Sequence, residues 1–297
     1  MRSVTPLNRA RTFTLTLFIV SYLFILLYFV FGGQWQMPGA LMVAVIYMLL
    51  PLLTAMALLT FVFHEPIKPA IRLSFTFNRW WLVAWVVPPI LALLTFVVSL
   101  LLPGIAFDAG MEGMFAQFGA SLTPEQLDAM RMQLAGAPYM PLLLGLVGGM
   151  AAGITVNALA GFGEEVGWRG LLLKSLLPIG FWKSSLIIGT IWGLWHAPLI
   201  LLGHNYPQHP ITGVFMMTLW TILITPLMNV ITLRAKSVIA AAIFHGTLNG
   251  TMGLSLLYVS GGNDLTIGGT GLAGMIALVL VNLTLFFAIK KHHLSVS

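Results

Sequence analysis

Two adjacent carboxylates, Glu164 and Glu165, stand with Arg169 in the stretch Gly-Phe-Gly-Glu-Glu-Val-Gly-Trp-Arg-Gly, residues 161 to 170, between the apolar runs 141–160 and 171–177. An ionisable side chain at membrane depth costs at least about 2.5 to 3.5 kcal/mol on insertion scales, so three together point to a use. On a helix, Glu165 and Arg169 are four apart, share a face and neutralise each other. Glu164 then projects about 100 degrees away, free for other work. Further on, Thr190 to Pro198 places His196 inside an apolar run, with Trp192 one turn earlier on the same face. His245 and Asn249, again four apart, leave an otherwise apolar helix on one side. One carboxylate and two imidazoles are what general-base activation of a water requires; they would also serve a divalent metal such as zinc, with Glu164, His196 and His245 as its ligands. Asn249 carries N–H donors and His245 one more, which suits a developing oxyanion.

These residues must be positioned by helices in a bilayer. Of 297 residues 59% are hydrophobic and only 7% charged, against about a quarter charged in soluble domains. The expectation is an all-α, polytopic transmembrane bundle forming one integral membrane domain over residues 1–297. Apolar segments near 12–32, 39–63, 81–104, 141–160, 184–203, 211–233, 237–259 and 271–289 predict about eight transmembrane helices. With the N-terminus inside, only Arg131 of the 14 Lys and Arg falls on the outer side, whereas Asp108, Glu112, Glu125, Asp128 and Asp264 all do. This sorting places both termini in the cytoplasm; if the cell is bacterial, the membrane is expected to be the inner one. His245 then lies roughly 13 Å of helix beyond Lys236, and His196 roughly 19 Å beyond Lys183. Depths this similar permit one shared cavity, expected to open to the cytoplasmic side.

The net charge of +6 comes from basic residues scattered between apolar runs, which argues against nucleic acid. The absence of Cys excludes disulfides, thiolate metal sites and a cysteine nucleophile. The run 12–31 is too long for a cleavable signal and reads as a retained first span. Residues 105–140 form an extracytoplasmic loop, in which Thr123 as N-cap and Pro124 at the first helical position predict a short surface helix. His64-Glu65-Pro66-Ile67-Lys68 begins like a zincin motif but has Lys at the second histidine position. Asn157, Asn229 and Asn282 read as interhelical hydrogen-bonding residues.

The set Glu164-Glu165-x-x-x-Arg169, Trp192-x-x-x-His196 and His245-x-x-x-Asn249 resembles, in order and spacing, the three-motif signature of the CAAX protease and bacteriocin-processing enzyme family. These are intramembrane endopeptidases that include the type II CAAX prenyl proteases. The resemblance covers roughly residues 150–255, the expected catalytic core. It implies that Glu164 and His196 activate the attacking water, that His245 and Asn249 stabilise the oxyanion or complete the site, and that Glu165 and Arg169 support the helix. Trp192 stands where the family commonly has Phe. The resemblance leaves both a metal and a purely glutamate-activated water open.

The expected activity is therefore hydrolysis of a peptide bond in a membrane protein or membrane-associated peptide, with the lipid bilayer as the other partner. Two alternatives stand beside it. A non-catalytic scaffold or chaperone could keep the protease fold, but has no physical need for Glu164, His196, His245 and Asn249 together. A transporter would be expected to show inverted repeats.

Overall fold

Thr5 opens the first helix by accepting a hydrogen bond from Asn8 N at 3.3 Å, and the helix, α1 (Pro6–Val30), ends where Gly32 takes a left-handed φ of 83°. The structure is a computed structural model that describes residues 5–35, 39–118 and 123–292. Arg2, Leu122 and His293 lie outside the described residues, as do the side chains of Lys290, Lys291 and His292. After α1 come α2 (Gly39–Ala57), α3 (Arg79–Ser99), α4 (Pro124–Ala135), α5 (Met140–Gly153), α6 (Val156–Glu165), α7 (Phe181–Trp195), α8 (Pro210–Ala235), α9 (Val238–Thr251) and α10 (Leu272–His292). Two short strands, β1 (Ala106–Phe107) and β2 (Val259–Ser260), pair antiparallel. The surface helix α4 carries a capping box, with Thr123 accepting from Gln126 N and Gln126 Oε1 accepting from Thr123 N.

All eight apolar segments contain a helix, but their lengths differ from eight uniform spans. Pro6–Val30, Met42–Val62, Arg79–Ser99 and Pro210–Ala235 are each long and apolar enough to cross a membrane. Met140–Gly153 and Val156–Ile179 pass that test only together, across a 50° bend. The helices α7 and α9, with 15 and 14 residues, fall short of the about 20 residues that a crossing needs. For α9 the reason is its place: it packs against α3, α5, α6 and α8, and buries both Ala240–Ala242 and Phe244–Leu248. A helix enclosed by others need not match the bilayer thickness with its own apolar length.

Small residues bring α9 against α6. A β-carbon on Gly246 would lie 2.5 Å from Ala158 N, so the two backbones touch there as only glycine permits. Asn157 Nδ2 donates to Gly246 O at 3.3 Å, Asn229 Nδ2 to Ser185 Oγ at 3.0 Å and Asn282 Nδ2 to Leu223 O at 2.6 Å, so these amides bridge helices. Outward, Ile19, Leu26, Phe61, Leu93, Val147 and Leu159 are exposed, the apolar belt expected of a chain whose solvent is lipid.

The connections gather into two groups. In one, Arg9 pairs with Glu65, Lys174 Nζ donates to Pro69 O, Val238 N donates to Arg72 O and Asn78 Nδ2 donates to Arg234 O. In the other, β1 pairs β2, Tyr258 OH donates to Pro138 O, Tyr206 OH donates to Thr270 O and His209 Nδ1 meets Asp264 Oδ1. The first group contains the basic connections and the second the acidic ones.

Candidate active site

The helix carrying the two glutamates changes character directly after them: residues Val166–Leu172 form a π-helical stretch, a widened turn that often accompanies functional positions. Glu164, Glu165 and Arg169 are all buried. Glu165 Oε1 accepts from Arg169 Nη1 at 3.1 Å, the i,i+4 pairing that the spacing predicts. Arg169 Nη2 also donates to Thr225 Oγ1 on α8 at 3.2 Å, and its guanidinium lies 4.4 Å from the centroid of the Trp192 ring. The cation is thus held by a carboxylate, a hydroxyl and an aromatic face.

Glu164 has different company. Its Oε2 accepts from Trp192 Nε1 at 2.7 Å and from Trp168 Nε1 at 3.2 Å. Two indoles from different helical segments therefore fix the carboxylate. The Trp168 contact is an i,i+4 pair within one helix and could have been read from spacing; the Trp192 contact, 28 residues away, could not.

The imidazoles are oriented through Nδ1. His196 caps α7 and turns Nδ1 to Trp192 O at 2.8 Å, a carbonyl that the helix end would otherwise leave unpaired. Because a carbonyl only accepts, Nδ1 carries the hydrogen and Nε2 is the free acceptor. His245 Nδ1 lies 2.9 Å from Glu165 Oε1. Gly161 lies against it, since a β-carbon there would come within 3.2 Å of His245 Cβ. The end of α7 is tied down by Tyr47 OH donating to Trp195 O, Trp195 Nε1 donating to Ser21 Oγ, and stacking of Tyr47 on Trp195 at 4.4 Å. Ser21, Tyr47 and Trp195 are positioning residues, and their places in the sequence, 148 and 174 positions apart, carry no sign of that role.

Glu164, Trp192, His196, His245 and Asn249 line one cavity of about 610 Å³. Asn249 is exposed, and Tyr47, Leu199, Met217 and Leu248 add mainly apolar wall. Glu165 and Arg169 are not in that lining; they stand behind it and meet it through His245 and Trp192. As arranged, Glu164, His196 and His245 present no closed ligand set: among the described residues no three His, Asp or Glu side chains come together to hold a metal. Glu164 Oε2 accepts two N–H donors, which leaves Oε1 as the oxygen open to a water or a cation.

A family model described as type II CAAX prenyl endopeptidase Rce1-like matches residues 146–251, the segment that contains all seven site residues. CAAX prenyl protease 2 of Methanococcus maripaludis is 32% identical over 136 residues, covering 42% of this chain and 47% of that protein. Over this segment the chain is similar to the type II CAAX prenyl endopeptidases, the likeness that its three motifs suggest. It spans about half the length of the curated relative it matches. Within the matched segment, the two motif glutamates have separate surroundings: Glu164 faces the cavity, and Glu165 joins Arg169 to His245. The opening was expected beside the basic connections, yet no lining residue comes from 64–79, 174–183 or 234–237.

Proposed function

We propose that the chain is an intramembrane endopeptidase that hydrolyses a peptide bond of a membrane protein or membrane-associated peptide in this cavity. The observation that carries the reading is Glu164: a buried carboxylate, fixed by two indole N–H donors, at the wall of a cavity it shares with His196, His245 and Asn249. A water between Glu164 and His196 gives one hydrogen bond to the carboxylate and one to His196 Nε2. Its oxygen attacks the scissile carbonyl carbon while Glu164 takes the proton. The carbonyl oxygen becomes an oxyanion, for which Asn249 offers its amide N–H; His245, when protonated, donates from Nε2 while Nδ1 stays on Glu165. The Glu164 proton then passes to the amide nitrogen, the C–N bond breaks, and an amine and a carboxylic acid leave. No atom in this sequence of steps requires a metal.

Burial of Glu165 and Arg169 behind the cavity serves the same reading, because the pair keeps His245 oriented without occupying space for a substrate. The multi-pass membrane setting, with both termini in the cytoplasm and the bilayer as second partner, belongs to this proposal and rests on the charge sorting of the connections. The test is comparison of protein N-termini in membranes from cells carrying the wild-type chain and the Glu164→Gln variant. A set of N-termini present only with the wild type supports the proposal. Identical N-termini in both, with equal amounts of folded protein, contradict it.

A further inference from the structure

The wall of the cavity is not symmetric about the site. Beyond the site residues it continues through Gly203, His204, Asn205 and Pro207, the connection between α7 and α8, and through Asp264 and Ile267–Thr270, the connection before α10. Those two connections are bound together: Gln208 N and His209 Nδ1 meet Asp264 at 2.7 and 2.6 Å, and Tyr206 OH donates to Thr270 O at 2.7 Å. They belong to the same group as the β1–β2 pair. That group carries Asp108, Glu112, Glu125, Asp128 and Asp264, with Arg131 as its single Lys or Arg.

The basic connections form the other group, and the hydrogen bonds and ion pair described above bring Arg9, Glu65, Pro69, Arg72, Lys174 and Arg234 together there. Lys and Arg near span ends are retained on the cytoplasmic side, whereas Asp and Glu contribute little. The charge bias therefore puts in the cytoplasm the group of connections that, among the described residues, contributes nothing to the cavity wall. From the geometry and the charge together, we propose that the cavity opens to the non-cytoplasmic side, between the 203–207 and 264–270 connections, and takes an exported polypeptide segment with apolar side chains. The peptide nature of the occupant rests on the proposed endopeptidase reading; the side of entry does not.

The chain has no cysteine, so single cysteines report their side without background. Three full-length variants suffice: Lys68→Cys in an exposed basic connection, Gln208→Cys on the exposed connection beside the opening, and Asn249→Cys inside the cavity. Each is treated in intact spheroplasts, and again after permeabilisation, with a permanently charged methanethiosulfonate that does not cross membranes. The expected result is modification of Gln208→Cys and Asn249→Cys in intact spheroplasts, with Lys68→Cys modified at least tenfold faster once the membrane is opened. Modification of Lys68→Cys in intact spheroplasts, or of Asn249→Cys only after permeabilisation, overturns the proposal. Neither outcome depends on cleavage, so a catalytically silent chain would refute the endopeptidase reading and leave the side of entry decided on its own.

Discussion

Glu165 Oε1 lies 2.9 Å from His245 Nδ1, across two helices and 80 residues of sequence. The same oxygen accepts from Arg169, so the second motif glutamate connects the buried cation to the imidazole at the cavity wall. This gives the second glutamate a part in the site that helix support alone would not require.

Removing either member of the Glu165–Arg169 pair leaves a buried charge without its partner, a loss of typically about 3 to 5 kcal/mol. Arg169→Ala and Glu165→Gln are each expected to lower Tm and yield. The double variant Glu165→Gln/Arg169→Met is expected to lose less than the sum of the single variants, because the two groups share one interaction. Strict additivity of the Tm losses would show that the pair is not coupled.

Trp192→Phe keeps a ring over Arg169 and deletes the 2.7 Å donor to Glu164. A hydrogen bond to a charged group contributes about 1.5 to 3 kcal/mol. The expected effect is a loss of turnover of about tenfold to a hundredfold, with a smaller loss for Trp168→Phe, whose bond is 3.2 Å long. Unchanged turnover in Trp192→Phe would mean that the indole N–H does not hold the carboxylate in its reactive position.

Gly246 sets the approach of α9 to α6, and a methyl group there meets backbone atoms that cannot turn aside. Gly246→Ala is expected to cost about 1 to 3 kcal/mol through overpacking. It also moves the helix that carries His245 and Asn249, so cleavage is expected to fall along with Tm. A Tm equal to wild type would show that the helices separate there at no cost.

Cleavage is expected to survive prolonged treatment with EDTA or 1,10-phenanthroline, since the proposed water is held by Glu164 and His196 alone. Loss of activity that returns on adding zinc would show that the imidazoles and carboxylate rearrange around an ion.

The sequence was most informative where interactions are local or periodic. Long apolar runs marked the helical segments, the spacing of Glu165 and Arg169 marked their ion pair, and Thr123-Pro124 marked the start of α4. The bend at residues 154–155 and the π-helical stretch after Glu165 left no such pattern, because the same apolar residues would continue a straight helix equally well. Contacts made by folding were also invisible: Trp192 on Glu164, Glu165 on His245, and Ser21 and Tyr47 on Trp195 join residues from 28 to 174 positions apart. The side of the opening was not legible for a related reason. Counting residues from the basic connections gave depths along each helix, but not which connections close over the cavity.

The central claim is that Glu164 is the base for peptide hydrolysis. The most direct measurement compares wild type, Glu164→Gln and Glu165→Gln for the membrane N-termini each produces and for Tm. The account predicts that Glu164→Gln loses every N-terminus made by the wild type while its Tm stays close to wild type, and that Glu165→Gln loses both activity and stability. Persistence of those N-termini in the Glu164→Gln chain would contradict it.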